Sequence, residues 1–223
     1  MMWLEAAATV GFWAGLAYIV YVYVGFFVLL SIAARLLGKP KFFDPSCQPT
    51  VSLLVSAYNE EKVIRAKLVN ALAQDYPENK YEVCLVSDGS TDMTADIGRA
   101  MDNPQVVVFD FKKRRGKNAA LNDIRRYVRG EILVFTDANT LYKPDAVAKL
   151  VRNFADPEVG LVVGNLNFVS DAGEQVDGGL YWRMENRIKA LQSALRSVLV
   201  ANGSIFAVRT EIMRPLHNDV AND

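Results

Sequence analysis

The hydrophobic pattern divides the chain into stretches of different character. From Ala6 to Ala34 no charged residue occurs. As a helix this run measures about 43 Å, against roughly 30 Å for the hydrocarbon core of a bilayer, so it predicts one tilted transmembrane helix. Its N-terminal flank carries Glu5 and no Lys or Arg, and the run is too long for a signal peptide. Arg35, Lys39 and Lys41 follow it, which predicts a cytoplasmic C-terminal side. Lys39 to Pro49, with three prolines, reads as a linker. The expected organisation is an anchor over 1–38, a linker over 39–49 and a globular domain over 50–223.

Past the linker the pattern alternates. Val51–Ser56, Val83–Ser87, Val106–Phe109 and Ile132–Thr136 are short apolar, β-branched runs. Helical patterns lie between them, at Glu60–Leu72, Thr91–Met101 and Lys117–Val128. Near-continuous apolar strands at βαβ spacing predict an α/β fold, a Rossmann-like, mostly parallel sheet with helices on both faces. Pro144–Phe154 reads as a further helix and Gly160–Val163 as a further strand. Gly179–Leu199 places Leu180, Met184, Ile188, Leu191, Leu195 and Val198 at helical spacing, which predicts a long amphipathic helix.

Composition narrows the function. Acidic and basic residues balance at 25 each, and no basic excess points to nucleic acid. Cys47 and Cys84 stand apart, without a CxxC or a Cys/His cluster, so neither a zinc site nor a disulfide framework is expected. No GxGxxG follows the first strand, and no P-loop or GxSxG occurs. His217 is the only histidine, and it reads as an ordinary surface or turn residue.

In a doubly wound sheet, ligands bind beyond the carboxyl ends of the strands. The first strand runs into Tyr58-Asn59-Glu60-Glu61, the second into Asp88-Gly89-Ser90-Thr91-Asp92 and the fourth into Asp137-Ala138-Asn139. All three strand ends carry a carboxylate. Helix capping by Asn59, Ser90 or Thr91 explains any one of them about as well as function does. It explains all three on one sheet edge less well.

These segments, with Gly116-Lys117-Asn118-Ala119-Ala120-Leu121-Asn122 between the second and third, resemble in order the motifs of family 2 glycosyltransferases with the GT-A fold. The resemblance runs from about Pro49 to the end. It implies an inverting enzyme that moves a sugar from a nucleotide-sugar, a UDP-sugar, to a glycan or lipid-linked acceptor at the cytoplasmic membrane face. It assigns Tyr58, Asn59, Glu60 and Asp88 to the nucleoside, and Lys117 to the diphosphate. Asp137 and Asn139 fall at the family's DxD position, which implies a divalent cation, Mg2+ or Mn2+. Here the third residue is Asn, whose carbonyl can coordinate but adds no charge. Asn222-Asp223 resembles the family's acidic base motif, with Asp223 as the base that takes the acceptor proton and Asp219 as the alternative. Asn202–Arg209 resembles the glycine-containing strand on the acceptor side. The family's further C-terminal segments are not present, so the chain reads as a fragment. Two other functions compete: a non-catalytic nucleotide-binding membrane module, and single transfer to a polyprenyl phosphate.

Overall fold

The computed structural model describes residues 2–40, 42–165, 168–169, 175–176, 179–196, 198, 201 and 204–215. It divides into two compact units, one formed by residues 1–41 and 167–200 and the other by residues 42–166 and 201–223.

In the first unit, α1 (Met2–Val20) runs through a π-helical turn (Tyr21–Gly25) into α2 (Phe26–Leu37). The absence of proline and the apolar composition let one rod continue for 35 residues, Trp3–Leu37, long and apolar enough to cross a membrane.

The second unit begins with β1 (Val51–Ala57), α3 (Ile64–Leu72), β2 (Tyr81–Asp88), α4 (Thr94–Arg99) and β3 (Val106–Phe111). It continues with α5 (Lys117–Ile124), β4 (Ile132–Asp137), α6 (Ala146–Val151) and β5 (Leu161–Val163). The chain then forms the two-stranded antiparallel pair β6 (Phe168–Val169) and β7 (Gln175–Val176), and α7 (Gly179–Ala194), in the first unit. It returns as β8 (Ile205–Arg209). On α7, Met184, Ile188 and Leu191 of the expected stripe are half-buried, as is Leu195 just past its end, while Leu180 is exposed. The N–H of Lys39 donates to the carbonyl of Ala194 at 3.0 Å, tying the second residue after α2 to the end of α7.

The six-stranded sheet has the order β3-β2-β1-β4-β8-β5. The first four strands in the chain are parallel, and β8 is antiparallel to both β4 and β5. Burial on both faces explains the unbroken apolar runs. Leu53, Val55, Val83, Leu85 and Val134 pack with Ile64 and Leu68 of α3 and Val147 of α6. Their neighbours Leu54, Cys84, Val86, Leu133 and Phe135 pack on the opposite face with Leu121 and Ile124 of α5.

α3 and α4 start later than their periodic patterns, because residues at the carboxyl edge are recruited into loops. Asn59 adopts a left-handed backbone (φ 55°), and α3 starts only at Ile64. The β6–β7 pair carries no pattern long enough to be read from the sequence.

Phe135 and Phe206 face each other across the β4–β8 pair and stack at 4.5 Å between ring centroids. Phe135→Ala is expected to destabilise the sheet unit by about 3–5 kcal/mol. In urea unfolding of the full chain in detergent, this lowers the midpoint and leaves the slope unchanged.

Candidate nucleotide and metal site

The sheet order reverses at β1, which has β2 on one side and β4 on the other. That reversal makes a crevice at the carboxyl edge. The parallel register pairs Ser56 with Asp137 and Ala57 with Ser87. Asp88 and Asp137 therefore flank β1 on the same edge, two strand spacings or about 10 Å apart.

The loops after β1 and β2 are laced together. Asn59 donates its backbone N–H to Ser90 Oγ at 3.1 Å, and its Oδ1 accepts from the Thr91 N–H at 2.9 Å. Glu60 N–H donates to Thr94 Oγ1 at 2.8 Å, and Glu61 N–H to Asp92 Oδ2 at 3.1 Å. Glu61 in turn accepts from the Met93 N–H at 3.1 Å. The capping alternative takes a different form from the one expected: Asn59 and Glu61 satisfy amides of the neighbouring loop rather than those of α3. A half-buried edge cannot leave such amides unpaired.

Asp88 is buried, and its carboxylate is filled from the loop before α5. Oδ2 accepts from Gly116 N–H at 2.7 Å, and Oδ1 from Arg115 N–H at 3.0 Å. The basic run Lys112–Arg115 thereby lies across Gly89. A Cβ on Gly89 would sit 2.4 Å from Arg114 N, and its φ of +73° also requires glycine. The Arg114 guanidinium stacks 4.0 Å from the centroid of the Tyr58 ring, a cation–π contact that leaves Tyr58 part-exposed. Arg115 reaches away to Asp123 at 2.7 Å.

Lys117 opens α5, and its Nζ contacts Asp137 Oδ1 at 2.7 Å. Asp137 Oδ2 accepts from Ser204 Oγ at 3.2 Å. Asn139 stands exposed in the turn after β4, with Ala138 buried between the two. Thus Tyr58, Asn59, Glu60, Asp88, Lys117, Asp137 and Asn139 share one edge of the sheet. Asp223, Asp219, His217 and Gly203 lie outside the described residues. No group of three or more His, Cys, Asp or Glu side chains gathers as a metal cluster among the described residues. One carboxylate and one amide oxygen nevertheless fit a hard cation that keeps waters and takes its other ligands from substrate phosphates. Cys84 is buried, which pushes its thiol up, and both cysteines are free.

Sequence reasoning missed Lys67 and Arg114, and placed Ser204 only as part of the acceptor-side segment Asn202–Arg209. The signal for Lys67 was present: with Ile64, Leu68 and Ala71 it completes the buried i, i+3, i+4, i+7 stripe of α3. Burial pushes its amine down to about 7, while the carboxylate of Asp137 acts weakly the other way.

Comparison with known proteins follows the same outline. The Glycosyl transferase family 2 profile matches residues 52–216. The beta-monoglucosyldiacylglycerol synthase of Nostoc sp. is 33% identical over 132 residues, covering 56% of this chain and 28% of that protein. The poly-beta-1,6-N-acetyl-D-glucosamine synthase of Staphylococcus aureus is 34% identical over 117 residues, covering 52% and 28%. The chain thus spans under a third of the length of these curated relatives. Among solved structures, the mannosyltransferase PcManGT of Pyrobaculum calidifontis, in complex with GDP-Man and Mn2+, superposes with a TM-score of 0.76 at 31% identity. That match covers 93% of this chain and 59% of the other.

An amine whose folded pKa lies below its unfolded one binds protons more tightly when unfolded. Its burial cost is therefore full below pH about 7 and vanishes above the unfolded pKa of about 10.4. Between those values stability rises with pH, by at most about 1.4 kcal/mol per unit. Relative to Lys67→Met, the unmodified chain is expected to gain about 2 kcal/mol from pH 7 to pH 9 in urea unfolding.

Proposed function

The chain belongs to glycosyl transferase family 2, and from that premise we propose that it binds a nucleotide-sugar, a UDP-sugar, and serves its inverting transfer to a glycan or lipid-linked acceptor at a membrane. The observation that carries this reading is the meeting of Lys117 and Asp137 at 2.7 Å beside the crevice at β1, with Asp88 on its other side. In this reading Tyr58, Asn59, Glu60 and Asp88 form the nucleoside end. Tyr58 offers an aromatic face, and Asp88 holds the basic loop over it. Lys117 meets the diphosphate as a compact positive charge.

Asp137 and Asn139 hold a divalent cation, Mg2+ or Mn2+. When bound, it neutralises the charge that accumulates on the departing diphosphate. The complex of the Pyrobaculum mannosyltransferase with GDP-Man and Mn2+ supports a nucleotide-sugar and a divalent cation as the ligand pair. Asp223 is the proposed base for the acceptor hydroxyl. The apolar helix Trp3–Leu37 supports a membrane anchor, and Arg35, Lys39 and Lys41 support a cytoplasmic site. The relatives named for a glucosyl lipid and for a sugar polymer favour the two acceptor classes equally. Counting sugars added per acceptor separates them.

A screen of UDP-, GDP- and dTDP-sugars tests this reading. One of them, with Mn2+ at a hundredfold excess over Kd, is expected to stabilise the full chain by about 2.7 kcal/mol. Asp137→Asn is expected to abolish the Mn2+-dependent part. Lys117→Met is expected to weaken nucleotide binding roughly tenfold or more, the scale of a charge-assisted hydrogen bond. No stabilisation by any of the three sinks the reading.

A further inference from the structure

Lys67 is fully buried, the only lysine or arginine buried among the described residues. Nothing in the packing of α3 asks for an amine there. A methionine of similar volume would fill the space without the cost of burying a polar head. What the amine does is bridge two acceptors. Its Nζ donates to Thr136 Oγ1 at 2.7 Å and to the Thr140 carbonyl oxygen. These bracket Asp137, Ala138 and Asn139.

One helical turn on, Asn70 presents the same face of α3. Its Nδ2 donates to the Tyr142 carbonyl at 2.8 Å, and its Oδ1 accepts from the Tyr142 N–H at 2.7 Å. The Tyr142 hydroxyl donates to the Phe135 carbonyl at 3.1 Å, and its ring lies 4.2 Å from Lys67 Nζ. The turn after β4 is therefore fixed to α3 on both sides of the proposed ligand pair.

We propose that Lys67 is a positioning residue for cation binding: by pinching Thr136 against Thr140 it sets the separation of Asp137 and Asn139. This rests on the reading of those two residues as cation ligands. The geometry also says which half of site binding depends on it. Lys67 supports the turn after β4 and none of the described contacts of Tyr58, Asn59 or Asp88. Its effect should fall on the metal-dependent part of nucleotide binding and spare the rest.

The test is calorimetry on the full chain in detergent at pH 8, titrating UDP and, in parallel, GDP, each with Mn2+ and without metal. In Lys67→Met, the gain in affinity from Mn2+ is expected to fall at least tenfold, as for other residues that orient metal ligands, with metal-free affinity within about twofold. Thr136→Val removes one acceptor while keeping the shape, and is expected to reduce the same gain by roughly threefold. An undiminished Mn2+ gain in cooperatively melting Lys67→Met overturns the proposal. A parallel fall in metal-free affinity does so too, because Lys67 would then support the whole pocket. Where Lys67→Met does not melt cooperatively, Thr136→Val decides alone, and an unchanged gain overturns the proposal. An unmodified chain that binds nucleotide but gains nothing from Mn2+ overturns the metal assignment and this inference together.

Discussion

The register that pairs Ser56 with Asp137 and Ala57 with Ser87 carries the rest of the site. Parallel strands all end at one edge of a sheet. The reversal of order at β1 opens a gap there between the crossovers that leave on opposite faces. A carboxylate at the end of β2 and another at the end of β4 are thus held about 10 Å apart by backbone hydrogen bonds alone. A one-residue slip of either strand would turn its acid to the other face and dissolve the arrangement.

Around that edge, the accounting of backbone amides decides which side chains are committed to structure. Asn59, Glu61 and Asp92 satisfy N–H groups of the adjoining loops, and Asp88 satisfies two in the basic loop. An acidic residue in a motif can therefore serve a ligand indirectly, by fixing the segment that meets it. Asp88 presents Arg114 to Tyr58 in this way. Asp137 is engaged differently. Its partners are side chains, Lys117 and Ser204, which can exchange for a ligand without unravelling the backbone.

Much of this was legible in the chain. Apolar runs at βαβ spacing gave the alternation of strands and helices, because a sheet covered on both faces needs no polar alternation. The ordered motifs from Tyr58 to Asn139 located the edge. The end of α3 at Leu72 and the start of α5 at Lys117 were legible, but the starts of α3 and α4 were not. Asn59 and Thr91 suit a helix start as well as a loop, and only the neighbouring loop determines which amide each one satisfies. Lys67 escaped notice because a lysine on a helix is ordinarily solvated.

The apolar N-terminal helix, the fold class and the identity of the polar groups at the strand ends follow from the chain without its partners in space, since these depend on local periodicity and residue chemistry. Tertiary structure alone decided the strand order, the antiparallel insertion of β8, the Lys117–Asp137 pair and the clamp from α3 onto the turn after β4. Those are contacts between segments 20 to 81 residues apart. No local pattern encodes such a contact, because each partner acquires its meaning only when packing brings the other within hydrogen-bond reach.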